Sequence, residues 1–162
     1  MKKPMTAETA FLRLSGKCAL AELCTHDAKR LMTRWELEPQ LQAEVIARLI
    51  KEKFIDEDRY AHAFVRDKFR YNHWGASRIR MELLRREIDG STVEDALAEI
   101  SEDDNLSELR RLIEQKRKTV RAESDYELRG KLIRFAMSRG FSYGDISKVL
   151  DTEGWDEGND GF

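Results

Sequence analysis

Between Arg66 and Arg86 the chain places seven lysines and arginines against two acids. Arg66, Lys68 and Arg70 come first. The stretch YNHWGASRIRMELLRREI, residues 71–88, then adds Arg78, Arg80, Arg85 and Arg86. Groups of this kind bind oxyanions: arginine grips a carboxylate or phosphate with a fork of N–H donors, and lysine acts as a point charge. A second block, residues 110–139, holds ten bases against four acids and includes Lys116, Arg117, Lys118, Arg121, Lys131 and Arg134. Arg117 and Arg121 are one helical turn apart and would share a face. The net charge is nevertheless −2, because residues 87–104 hold eight acids and no base, and only acids follow Thr152. Two separate basic blocks in an acidic chain point to a polyanion or an acidic partner, with a solvated face as the competing reading.

Other chemistry is poorly supported. No Gly-rich phosphate loop, HExxH or CxxC motif occurs. Cys18, Cys24 and His26 match no usual zinc spacing, and His62 and His73 are isolated. The pattern is that of a binding protein rather than an enzyme, with no cofactor and no metal. Cys18 and Cys24 are six residues apart and on one helix would point about 120° from each other. That argues against a disulfide and for a reducing cytoplasm. The opening MKKPMTAETA has no apolar stretch behind it, and no run approaches the ~18–20 residues of a membrane span. The expectation is a cytoplasmic monomer without signal peptide or membrane partner.

The elements that must carry these residues are helices. Charged residues make up 37% and hydrophobic ones 41%, with only two prolines, and no β-alternation appears. Leu37, Ile88 and Phe141 mark a repeat, 51 and 53 residues apart. Eight or nine residues after each come Val45-Ile46, Ala96-Leu97 and Val149-Leu150. Amphipathic stretches precede each anchor, and further helices are expected at 6–18, 56–70 and 105–120. Ser91, Asn105 and Ser124 each stand three residues before a glutamate, in the pattern of a capping box, and Ser142 is a weaker case. Pro39 suits a first helical position, and Gly90 and Gly140 suit helix ends. The fold expected is all-α, an elongated curved array of three tandem three-helix repeats: 1–53, 54–104 and 105–152. An acidic, glycine-rich tail, 153–162, expected to be mobile, follows and would compete for the basic face.

On a helical wheel of residues 78–88, Ile79, Met81, Leu83, Leu84 and Ile88 share one side, and Arg78, Glu82, Arg85 and Arg86 lie opposite. One face packs while the other offers three guanidiniums. Arg80 falls on the apolar side, where an inter-helix salt bridge competes with partner contact. Trp74 reads as a plug at the helix–helix corner, with base stacking as the alternative. Gly75 would allow close approach there.

Residues 54–88, FIDEDRYAHAFVRDKFRYNHWGASRIRMELLRREI, resemble the central repeat of the RecX family, regulators of the RecA recombinase. The resemblance rests on Asp56, Asp58-Arg59-Tyr60-Ala61, Phe64-Val65-Arg66, Trp74-Gly75, Arg78-Ile79-Arg80 and Glu82-Leu83. RFAMSRGFSYGDISKVL, residues 134–150, is a looser match to the third repeat. Two departures bear on turn geometry: Glu87 stands where glycine usually precedes the anchor, and His73 replaces a small or basic residue. The resemblance implies a non-catalytic helical protein of recombination, DNA repair and the SOS response. It would lie in the groove of the RecA–DNA filament and block filament growth or promote disassembly. Arg66, Lys68, Arg70, Arg78, Arg85, Arg86, Lys116, Arg117, Arg121, Lys131 and Arg134 are then the candidate partner or phosphate contacts. Trp74, Gly75 and Arg80 are the structural ones.

A sequence-independent DNA-binding module is the alternative, since helices 56–70 and 76–87 imitate a helix-turn-helix. Against it, the Tyr71–Gly75 turn is longer than usual, and the second helix lacks an Asn or Gln for adenine readout. Weak, non-specific DNA affinity is compatible with either reading.

Overall fold

The computed structural model describes residues 3–152. The acidic segment 153–162, and with it the expected competitor for the basic face, lies outside the described residues. Among the described residues there are nine α-helices and no strand. They are α1 (Ala7–Leu20), α2 (Thr25–Arg34), α3 (Pro39–Lys51), α4 (Glu57–Arg70), α5 (Ala76–Arg85), α6 (Gly90–Leu97), α7 (Glu102–Arg117), α8 (Asp125–Ser138) and α9 (Tyr143–Thr152). The chain divides into two compact units. One runs through Phe64 and includes Leu83–Ala96; the other takes Val65–Glu82 and the chain from Leu97.

Local chemistry sets where the helices begin. The first helix of each triplet is capped by a side chain three residues upstream of the backbone N–H it accepts from: Thr6 from Thr9 (3.1 Å), Asp56 from Arg59 (3.0 Å) and Ser101 from Asp104 (3.0 Å). Each cap satisfies a donor that the helix leaves open, typically worth about 1 kcal/mol. Ser124 and Ser142 cap α8 and α9 in the same way, and Pro39 occupies the first turn of α3. Two expected starts are displaced. Ser101 rather than Asn105 caps α7, so that helix begins at Glu102, and the Asn105 amide donates to Asp145 (3.0 Å). α6 begins at Gly90, and Ser91 bonds only to Asp89.

One turn recurs at the end of the second helix of every triplet, and once more after α3 at Lys53 (φ 62°). The second helix of each triplet closes through a residue at positive φ: Glu36 (63°), Glu87 (60°) and Gly140 (99°). The N–H of that residue bonds back to Thr33, Leu84 or Met137. The next N–H reaches five residues back, Leu37 to Met32, Ile88 to Leu83 and Phe141 to Ala136 (3.0–3.2 Å). These are Schellman caps, in which the last carbonyls find donors and the residue after the turn packs on the helix it ends. Leu37, Ile88 and Phe141 are accordingly buried with Met32, Leu83 and Ala136. Gly90 is not among the positive-φ residues, because Glu87 makes the turn of the second triplet.

Each unit has its own apolar cluster. In the first, Leu14, Met32, Val45, Leu49 and Ile55 pack with Phe11 and Leu37; in the second, Leu109, Ile113, Leu132, Ile146 and Leu150 pack with Phe141. On α5 the packing stripe is narrower than expected. Ile79 and Leu83 are buried, whereas Met81 and Leu84 are 58% and 48% exposed.

The cap geometry yields a paired expectation. Glu36→Gly removes the left-handed penalty of a side chain and should raise unfolding stability by about 0.5–1 kcal/mol. Gly140→Ala should lower it by more than about 2 kcal/mol, since its Cβ would lie 2.5 Å from that of Arg78. Urea unfolding of the two variants beside the parent chain measures both, and a neutral Gly140→Ala would contradict this reading of the turn.

Candidate functional site

In the second unit, the end of α4 and the start of α5 place two cations on one aromatic ring. Arg78 lies 4.0 Å and Lys68 4.9 Å from the Trp74 ring centroid. Contacts of this kind contribute about 0.5–2 kcal/mol and restrain long side chains that would otherwise wander. Trp74 is half-buried, and its backbone N–H donates to Lys68 O (3.0 Å). His73, at φ 58°, makes the turn before it, and His73 Nδ1 lies 3.6 Å from a Glu108 carboxylate oxygen. The unusual residue at this position therefore adopts a conformation that favours glycine or asparagine.

Gly75 makes a close approach, but to the turn after α8 rather than within its own helical corner. Gly75 N–H donates to Arg139 O (2.7 Å) and Ser77 N–H to Gly140 O (3.1 Å). A Cβ on Gly75 would fall inside van der Waals contact of the Gly140 carbonyl and 2.6 Å from Phe141 N. The open donors at the start of α5 thus meet the open acceptors at the end of α8. This crossing brings in a second cation–aromatic group on α7 and α8. Lys116 lies 4.6 Å and Arg139 5.1 Å from the Phe135 ring centroid. Phe135 and Arg139 were not singled out in the sequence. The signal available was their four-residue spacing, which stacks side chains on one helix face.

Arg66 and Arg70 are exposed, one turn apart on α4, and line a groove of about 440 Å³. Arg111, Glu108 and Asp104 form its α7 wall, with Phe69 and Ile100 at its base. Cations, carboxylates and apolar side chains all line it, which suits a partner carrying both apolar and charged groups.

The arginines at the far end of α5 belong to the first unit and have separate environments. Arg85 is exposed. Arg86 is not part of an open guanidinium face: its side chain is 26% exposed, lies 5.1 Å over the Phe64 ring and stands 3.6 Å from the Asp27 carboxylate. Arg80, in the second unit, is half-buried, as its place on the apolar side of the wheel required. In the second basic block, Arg117, Arg121 and Arg134 are exposed. Lys131 is engaged internally, bonding Arg121 O (2.7 Å) and Glu127 (2.9 Å). That ammonium, together with the Glu123 N–H, holds the Glu127 carboxyl below its usual range.

The thiols are unsuited to chemistry at neutral pH. Burial pushes Cys24 up to about 11, and burial with the nearby Glu22 charge also raises Cys18, so both remain protonated. Among the described residues no group of three His, Cys, Asp or Glu side chains is placed to hold a metal ion, and no helix is long and apolar enough to cross a membrane.

Residues 56–97 match the family model described as RecX, second three-helix domain, and residues 102–150 match RecX, third three-helix domain. Regulatory protein RecX of Vibrio parahaemolyticus is 31% identical over 147 residues, covering 86% of this chain and 92% of the relative. Regulatory protein RecX of Oceanobacillus iheyensis is 30% identical over 115 residues, 71% of this chain and 42% of the relative. The counterpart in Bacillus subtilis is 28% identical over 127 residues, 78% and 48%. This chain thus spans about half the length of the latter two. Two crystal structures share the fold at 18% identity. One, of a regulatory protein RecX, has a TM-score of 0.82 and covers 90% of this chain and 73% of its own. The other, of RecX from Lactobacillus salivarius, has a TM-score of 0.75 and covers 90% and 95%. With both domain models matched over more than half of its length and a relative aligned nearly end to end, the chain belongs to the RecX family.

Proposed function

We propose that this protein regulates RecA, binding the RecA–DNA filament in its groove so as to block growth or promote disassembly. It acts in the cytoplasm, as a monomer and without catalysis. Family membership supports the assignment to RecA. The observation that supports a charged contact surface is the pair of cation–aromatic groups in the second unit: Lys68 and Arg78 on Trp74, Lys116 and Arg139 on Phe135. Hydrogen bonding of Gly75 to Arg139 ties them to one backbone crossing. Cations held over aromatic rings lose less freedom on binding than free surface lysines, so more of the attraction to an anionic partner is retained. Arg66 and Arg70 extend the charge along α4, and Arg85, Arg117, Arg121 and Arg134 add exposed charge.

Base-specific DNA recognition is disfavoured. α5 carries no Asn or Gln, and the arginines before and after the turn, Arg70 and Arg78, suit oxyanions without regard to sequence. Weak affinity for bare DNA accompanies the regulator reading rather than replacing it.

Parallel titrations against bare single-stranded DNA and against cognate RecA filaments, with circular dichroism as control, test the assignment. Changing Arg66, Arg70 and Arg78 to Glu should leave helicity intact, at a stability cost no larger than that of the Arg78–Trp74 contact, about 0.5–2 kcal/mol, and should weaken filament binding by roughly tenfold or more. If phosphates are the target, neutralising the three should also flatten the salt dependence by up to about three units of slope. If acidic side chains of RecA are the target, DNA affinity should barely change. Arg86→Ala should instead lower stability by about 1–3 kcal/mol, through a carboxylate left without its partner and lost packing on Phe64. A triple charge reversal that binds filaments with parental affinity would remove this face from the proposal.

A further inference from the structure

The first and second helix triplets meet through an unusually polar seam, all of it within the first unit. At the corner between α1 and α2, both carboxylate oxygens of Glu22 accept from the single Nε–H of Arg59 (2.6 and 2.8 Å). Thr25 N–H donates to Glu57 Oε1 (3.0 Å). Asp27 stands 3.6 Å from Arg86 Nε, and His26 Nδ1 stands 3.6 Å from Glu87. Every one of these contacts joins the 22–27 corner to the first turn of α4 or the end of α5.

The closed seam is held by charge at some cost. The side chains of its two ion pairs, Glu22–Arg59 and Asp27–Arg86, are between a quarter and about a half exposed, so water and salt reach them. Glu57 Oε2 is buried and accepts no hydrogen bond among the described residues, a penalty that opening would relieve. Cys24 and Tyr60 form the buried part between the same elements. The first triplet does not depend on the seam for its own core, because Phe11, Leu14, Met32, Val45 and Leu49 pack on one another and on Ile55. The crossing at Gly75 and Gly140 is different in kind, since backbone amides and carbonyls make it.

We propose that the 22–27 seam is a salt-loosened joint: rising ionic strength releases the α1–α2 corner from α4 and α5 while both apolar clusters stay folded. The Debye length shrinks from about 8 Å at physiological salt to about 3 Å at 1 M. Attraction across the 3.6 Å Asp27–Arg86 pair is therefore weakened first, and the hydrogen-bonded Glu22–Arg59 pair last. Neutral backbone hydrogen bonds in the second unit are insensitive to the same change.

Amide hydrogen exchange of the full chain, followed by mass spectrometry at ~50 mM and ~1 M NaCl, tests this directly. Amides of the 22–27 corner, the Thr25 N–H that donates to Glu57 foremost, should exchange about threefold to tenfold faster at the higher salt, the effect expected from two partly exposed pairs opening together. Amides of α8 in the same sample should change by less than about twofold. The double variant Glu22→Gln, Asp27→Asn should show the faster corner exchange already at low salt and lose its salt dependence. Equal salt responses of the corner and α8 would overturn the proposal, as would a double variant that keeps the parental salt dependence.

Discussion

The contact between Gly75 and Gly140 is the constraint on which the arrangement of the second unit depends. A helix start has donors without partners and a helix end has acceptors without partners. Here α5 and α8 resolve both at once, through Gly75 N–H to Arg139 O and Ser77 N–H to Gly140 O. The backbones approach so closely that neither glycine has room for a Cβ. Helix dipoles reinforce the pairing, because the positive end of α5 faces the negative end of α8. The residues flanking the crossing are those that carry charge: Trp74 with Lys68 and Arg78 on one side, Arg139 with Phe135 and Lys116 on the other. A backbone contact thus brings Arg78 and Arg139 to one crossing.

The same constraint explains why one turn is built from different residues. Glu36, Glu87 and Gly140 all hold positive φ at the end of a second helix. The conformational penalty alone does not demand glycine, since the Schellman hydrogen bonds and the buried Leu37, Ile88 or Phe141 outweigh about 1 kcal/mol of strain. Glycine is obligatory only at 140, where Arg78 and Gly75 press against the position a side chain would need. Glu36 and Glu87 are exposed.

The repeat was legible because burial imposes it. The anchors Leu37, Ile88 and Phe141 and the paired apolar residues after each are all buried, and a periodic core leaves a periodic sequence. Cap positions were legible where one candidate stood alone, as at Ser124, and misread where two competed. Ser101 and Asn105 both fit the start of α7, and Ser101 caps because Asn105 is engaged by Asp145 from α9, a tertiary partner. The charged face was legible in composition but not in its division. A helical wheel groups Arg78, Arg85 and Arg86, yet it cannot show that Asp27, from a helix fifty residues earlier, draws Arg86 inward. Arg139 was missed for the related reason that its significance comes from Phe135 and Gly75 together, one neighbour local and one distant.

The proposed role joins these features: helical triplets that carry cations on fixed aromatic supports, presented to a filament that is itself a polyanion coated with protein. The measurement nearest to that role is the rate of ATP hydrolysis by cognate RecA assembled on single-stranded DNA. It is followed while this chain is added at well below one copy per RecA protomer. A regulator that stops filament growth or drives disassembly lowers the rate substoichiometrically, because each bound copy affects many protomers. A rate that stays unchanged up to equimolar addition would contradict the proposal.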